Sequence, residues 1–136
     1  TSLRKNAMAE HNQLGRIGEE EACRYLGHKG YRLLERNWVL GHLEVDIIAE
    51  WYGEVVFVEV KTRRNETFAN AADAVTPQKK EHLIHAAKAY MGSQGEDRPF
   101  RFDIITVVGE TAPFRISHIE NAFTVDSLRN NPAYLG

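Results

Sequence analysis

Asp46, Glu59 and Lys61 interrupt two apolar segments, "LEVDIIAE" and "EVVFVEVKT", joined around Trp51-Tyr52-Gly53. With a two-residue loop at Tyr52-Gly53, the glycine supplying a positive φ, paired residue numbers sum to 105. Asp46 then falls opposite Glu59 and Glu44 opposite Lys61, and strand alternation puts all four on one face. The companion face carries Val45, Ile47, Val58 and Val60, the expected core side of the hairpin. Two desolvated carboxylates tolerate such proximity by sharing a proton or binding a cation. Mg²⁺ or Mn²⁺ suits carboxylate and carbonyl oxygens and keeps several waters. One such water can serve as nucleophile on a phosphodiester. Lys61, on the face of Glu59, is suited to orient that water or to stabilise charge on the phosphate. Spacing alone equally allows a plain Glu44–Lys61 ion pair, with Asp46 solvated at a strand end, because acid-x-lysine patterns arise by chance.

A third acid comes from the first helical stretch. Glu19, Ala22, Cys23 and Leu26 share one face at i, i+3, i+4, i+7 spacing, so Glu19 lies on a partly apolar stripe. Glu21 falls near the Leu14, Ile17 and Tyr25 side, and an acid near a helix start also has a purely local role. The pattern leaves Glu19, Glu20 and Glu21 open. Lys61, Arg63 and Arg64, followed by Lys79 and Lys80, cluster locally and form a phosphate track if they line one groove, or a solvated surface if they do not. His82 and His85 lack companion ligands, and His28, His42 and His118 are scattered, which argues against zinc. Trp38 and Trp51 can stack bases, but packing is their expected use.

The elements that must position these residues follow from periodicity. A polar stretch over 1–13 reads as a flexible tail, and a helix begins at Leu14, with Gly27 and Gly30 supplying a stop and a turn. "YRLLERNWVL" reads as a first strand, before the two strands of the hairpin. Residues 64–75 form a polar loop; Thr76-Pro77 then opens a helix that Gly92 ends. "FRFDIITVVG" is a nearly continuous apolar strand, expected to be buried on both faces, and "FRISHIE" a fifth strand. The order α-β-β-β-α-β predicts one α/β domain over 14–125, a mixed sheet flanked by helices, with a C-terminal tail over 126–136.

Composition sets the bounds. The chain has 136 residues, 43% hydrophobic and 26% charged, with a formal charge of −2, so attraction for nucleic acid would have to be local. The single cysteine, Cys23, excludes an intramolecular disulfide and reads as a packed thiol. No run reaches the roughly 18 apolar residues of a membrane span. The first residues lack the apolar core of a signal peptide, so a cytoplasmic protein with no membrane partner is expected.

Six blocks carry a resemblance: "GRIGEEEA", "LEVDIIA", "VFVEVKTR", "TPQKKEHLIHAAKAYM", "RFDIITV" and "HIENAF", in that order. Together they resemble the YraN-like bacterial proteins, which are similar to archaeal Holliday-junction resolvases and belong with the PD-(D/E)xK, restriction-endonuclease-like fold. The resemblance covers about residues 12–125. It implies Asp46 and Glu59 as metal-binding acids, with the Val60 carbonyl as a further ligand. Lys61 would be the catalytic lysine and Glu19 the helix-one acid, either a further ligand or one acting through water. Lys79 and Arg63 would contact phosphate; Lys80 and Arg64 join them only through the local cluster of basic residues. The implied activity is Mg²⁺- or Mn²⁺-dependent hydrolysis of DNA, branched or structured DNA included, by a homodimer; a non-catalytic nucleic-acid-binding protein is the alternative. Leu43 stands where that family usually has glycine.

Overall fold

The computed structural model describes residues 2–65, 75–95 and 97–126. Its elements are α1 (Ser2–His28), β1 (Arg32–Leu40), β2 (Leu43–Trp51), β3 (Glu54–Arg63), α2 (Pro77–Gln94), β4 (Phe100–Val108) and β5 (Arg115–Phe123). The five strands form one sheet in the order β1-β2-β3-β4-β5, antiparallel except for the β3–β4 pair. A parallel neighbour requires a crossover, and α2 supplies it. This is the expected mixed sheet in α-β-β-β-α-β order, consistent with a restriction-endonuclease-like core.

The hairpin has the inferred register. Ile47↔Val58 through Trp51↔Glu54 all sum to 105, and Tyr52 (φ 49°) and Gly53 (φ 81°) both occupy the left-handed region of a two-residue turn. Three sequence expectations need correction. Helix α1 starts at Ser2, so residues 2–13, read as a tail, belong to it. Helix α2 passes through Gly92 to Gln94. Gly95, at φ 67°, takes the left-handed cap and donates its N–H to the Gly92 carbonyl. The C-terminal tail beyond 126 and most of the 64–75 loop lie outside the described residues.

The third correction concerns the sheet faces. One core cluster joins Ile48, Val55, Phe57, Phe102 and Ile104 to Leu83, Ile84, Ala87 and Tyr90 of α2. The other joins Ile47, Val56, Val58, Ile105 and Val107 to Ala22, Cys23 and Leu26 of α1. Both faces of the central strands are therefore covered, and the hairpin has no single core side. Val45 packs in the α2 cluster and Ile47 in the α1 cluster, although residues two apart share a face in a regular strand. The face switches at Asp46. Across from it β1 carries Asn37 at φ 50°, and the β1–β2 register runs from Arg36↔Ile47 to Trp38↔Val45.

Helix α1 approaches β3 closely because Gly18 lacks a side chain: a Cβ there would stand 2.0 Å from Thr62 Oγ1 and 2.9 Å from Thr62 Cβ. The first turn of α2 is fixed by Thr76, whose hydroxyl oxygen accepts from the Lys79 N–H at 3.1 Å, with Pro77 at the first helical position. Thr76→Ala is expected to cost about 1 kcal/mol in urea unfolding; an unchanged midpoint would show that this turn forms without its cap. Cys23 is buried among apolar neighbours, which pushes its thiol pKa up, as expected of a packed thiol. Among the described residues no helix is long and apolar enough to cross a membrane.

Candidate functional site

Antiparallel pairing of β2 with β3 ends at Ile47↔Val58, one residue before the two acids. Asp46 therefore does not face Glu59 within a ladder. Its Oδ2 accepts from the Val60 N–H at 2.8 Å, so the side chain partners backbone where strand pairing has stopped. Glu59 is 4% exposed, and its Oε2 has no hydrogen-bond partner. Lys61 Nζ lies 3.4 Å from Glu59 Oε1, and Lys79 Nζ lies 3.9 Å from Oε2. A lysine in the first turn of a helix opposes the macrodipole. The nearby Glu59 carboxylate supplies the compensation, and the Thr76 cap holds the turn that carries Lys79.

Electrostatics follow from this crowding. Burial, and then the Asp46 charge, push Glu59 up to about 7, against Lys79 and Lys61. Burial also raises Asp46, opposed by the Val60 N–H and Lys79. Glu19 is raised by burial and by Asp46, while an Asn37 hydrogen bond lowers it. Of the three candidate acids on α1, Glu20 pairs with Arg36 at 3.1 Å and Glu21 with Arg24 at 2.6 Å. Glu19 is the one whose carboxyl senses Asp46.

The other predicted residues divide. Arg63 lines a recess with Val60 and Lys61, and Arg64 lines an adjoining one. Lys80 is turned toward β5, its Nζ 5.6 Å from the Phe123 ring centroid. Trp38 packs edge-on against Tyr90, and Trp51 stacks on Tyr31 at 4.3 Å. Among the described residues, no group of three or more His, Cys, Asp or Glu side chains is placed to hold a metal ion. The assembled acids are a pair with Glu19 outside it.

One cluster escaped the sequence reading. Asp103 is buried, yet it accepts from Arg101 Nε (2.9 Å) and from the Asn121 N–H (3.0 Å), and it lies 2.7 Å from His118 Nε2. His118 Nδ1 is 3.2 Å from the Tyr25 hydroxyl. Burial alone would raise the Asp103 pKa, but these bonds outweigh it and hold the carboxyl below its ordinary value. The signal was Arg101 and Asp103 two apart in an otherwise apolar strand. Its partner His118 looked isolated because it comes from β5.

A model of the Uncharacterised protein family UPF0102 matches residues 18–107. The chain belongs to the UPF0102 family. A UPF0102 protein of Phocaeicola vulgatus is 53% identical over 116 residues, covering 85% of this chain and 96% of that protein. The UPF0102 protein FP2501 of Flavobacterium psychrophilum is 45% identical over 116 residues, covering 85% and 98%. One from Oleidesulfovibrio alaskensis is 48% identical over 101 residues, 74% of this chain and half of that protein. UPF0102 is a bacterial family related to the PD-(D/E)xK superfamily, and membership supports a nuclease-like fold.

Proposed function

We propose that the chain is a Mg²⁺- or Mn²⁺-dependent nuclease that hydrolyses phosphodiester bonds in DNA, branched or structured DNA being the favoured substrate. The observation that carries this reading is the buried Asp46–Glu59 pair with Lys61 at its edge and a Glu59 Oε2 that has no hydrogen-bond partner. A buried carboxylate oxygen without a hydrogen bond, beside a second acid, fits a hard divalent cation, which needs few protein ligands because it keeps its waters. Asp46, Glu59 and the Val60 carbonyl would hold it. A residue's C=O and N–H leave the same edge of a strand, so the Val60 carbonyl shares the edge on which its N–H meets Asp46. Glu19 would act through water. When bound, the cation lowers the pKa of water and neutralises charge on the phosphate.

The chain's own residues do the rest. Lys61 can donate to the phosphate oxygen or orient the attacking water. Arg63, Arg64 and Lys79 would hold flanking phosphates, whereas Lys80, turned toward Phe123, would contact phosphate only by leaving that ring. A homodimer would suit a branched substrate with paired scissile positions.

The test compares cleavage of branched, single-stranded and duplex DNA with Mn²⁺ by wild type, Glu59→Ala and Lys61→Ala. Loss in both variants is expected; equal residual cleavage in all three would mean a contaminant and sink the reading. One observation favours a second reading, a non-catalytic nucleic-acid-binding protein: Lys61 and Lys79 already balance Glu59, and no third acid completes a metal cluster among the described residues. That reading requires salt-dependent DNA binding without cleavage under any divalent metal.

A further inference from the structure

Two recesses share Leu14 of α1, and the second is bordered by the last residues of β3. The first, about 360 Å³, is lined among the described residues by Gln13, Leu14, Ile17, Arg64 and Glu110. The second, about 300 Å³, adds Gly15, Val60, Lys61, Thr62 and Arg63 and reaches the strand segment that carries the candidate site. Both volumes lie at the small end of the range for small-molecule sites, about 300–1,000 Å³. Their chemistry is graded. Leu14 and Ile17, three apart on α1, supply an apolar wall. Gln13 brings an amide donor and acceptor, and Glu110 a carboxylate acceptor. Lys61, Arg63 and Arg64 supply cations along the way to Glu59. At about 3.3 Å per strand residue, Arg63 stands about 13 Å beyond Glu59, a span of a few nucleotides of extended strand.

Leu14 and Ile17 offer an aliphatic face on which one flat heterocycle can bury its apolar surface, and the adjoining cations can take the phosphates that flank it. We infer that the recess between Leu14, Ile17 and Arg64 is a binding site for one unstacked nucleobase of a single-stranded segment adjoining the cleaved phosphate. The inference rests on the nucleic-acid reading above and narrows it: the substrate carries an unpaired nucleotide beside the reacting bond. A continuous duplex, its bases stacked and paired, has no group to place there.

The test is fluorescence anisotropy of the full chain in EDTA, with a labelled oligodeoxycytidine and an abasic phosphodiester strand of equal length at the same salt. Wild type is expected to bind the base-bearing strand roughly tenfold more tightly, the gain from burying one base face against two aliphatic side chains. Leu14→Gln should erase that difference and leave abasic binding unchanged. Arg64→Ala should weaken both strands. Should Leu14→Gln fail to fold, Gln13→Ala at an exposed position is expected to weaken only the base-bearing strand. Equal affinity of wild type for both strands would overturn the inference, even if DNA is cleaved with Mn²⁺. Base discrimination without cleavage would uphold this site and overturn the nuclease assignment instead.

Discussion

Glu59→Gln is expected to stabilise the metal-free protein at pH 8 and, on the proposed nuclease reading, to abolish Mn²⁺-dependent cleavage of DNA. In the unfolded chain Glu59 titrates near its ordinary value of 4.5, whereas in the folded protein burial and Asp46 push it up to about 7. Between those values the folded protein keeps a proton that the unfolded chain has lost, so folding becomes less favourable as pH rises through this window. Above about pH 7 the destabilisation is complete, on the order of 2 kcal/mol or more, because both states are ionised but only the folded one buries the charge. Glutamine keeps the shape of the protonated acid and carries no charge. Its melting temperature should exceed that of wild type by several degrees at pH 8, with the gap closing toward pH 4.5. On the proposed metal site, Mn²⁺ should raise the melting temperature of wild type and leave that of Glu59→Gln unmoved, since a cation held by the ionised pair would bind the folded state only. A variant that is less stable than wild type at pH 8 would show that the contacts with Lys61 and Lys79 outweigh the desolvation of Glu59.

Gly18→Ala is the second large effect, and it acts through packing. The new Cβ would meet Thr62 Oγ1 at 2.0 Å, Cγ2 at 2.8 Å and Cβ at 2.9 Å. Rotating the threonine relieves the first two contacts but cannot move its own Cβ, so α1 must retreat from β3. Overpacking of this kind costs typically 1–3 kcal/mol. The retreat also moves Glu19, the next residue, away from Asp46, so any divalent-metal binding at the proposed site should weaken along with stability. Thr62→Ala removes the two closest contacts and should restore part of both losses in the double variant. Chemical unfolding and calorimetric titration with Mn²⁺ read the two effects. If Gly18→Ala alone unfolds like wild type, the close approach of α1 to β3 is not a constraint on this fold.

Much of the site was legible because its determinants are local. A Tyr-Gly turn with two positive φ values fixes the register of the hairpin, and the register brings Asp46 and Glu59 to the end of one strand pair. Thr76-Pro77 announced the start of α2 through capping chemistry that needs no tertiary information. The continuous apolar run of β4 announced a strand buried on both faces. The spacing of Glu19 with Ala22, Cys23 and Leu26 put the acid on the packed face of α1, although its two neighbours were not excluded by pattern.

What escaped depends on residues far apart in the chain. A perfect hairpin would have faced Asp46 with Glu59; in the fold, strand pairing stops one residue earlier and Asp46 bonds to the Val60 N–H. The face of β2 switches there, opposite the left-handed Asn37 of β1, and no alternation rule contains that information. Asp103 looked like an ordinary strand residue until β5 brought His118 and the Asn121 N–H to it.

By itself the sequence determined the elements, the order of strands and helices, the hairpin register and the family, because side-chain period, turn residues and helix caps act over a few positions. Only the tertiary structure showed the burial that raises Glu59, the approach of Lys79, and the Arg36 and Arg24 pairings that occupy Glu20 and Glu21. That burial depends on how much water two packed helices exclude from one strand end, and desolvation belongs to the assembled fold.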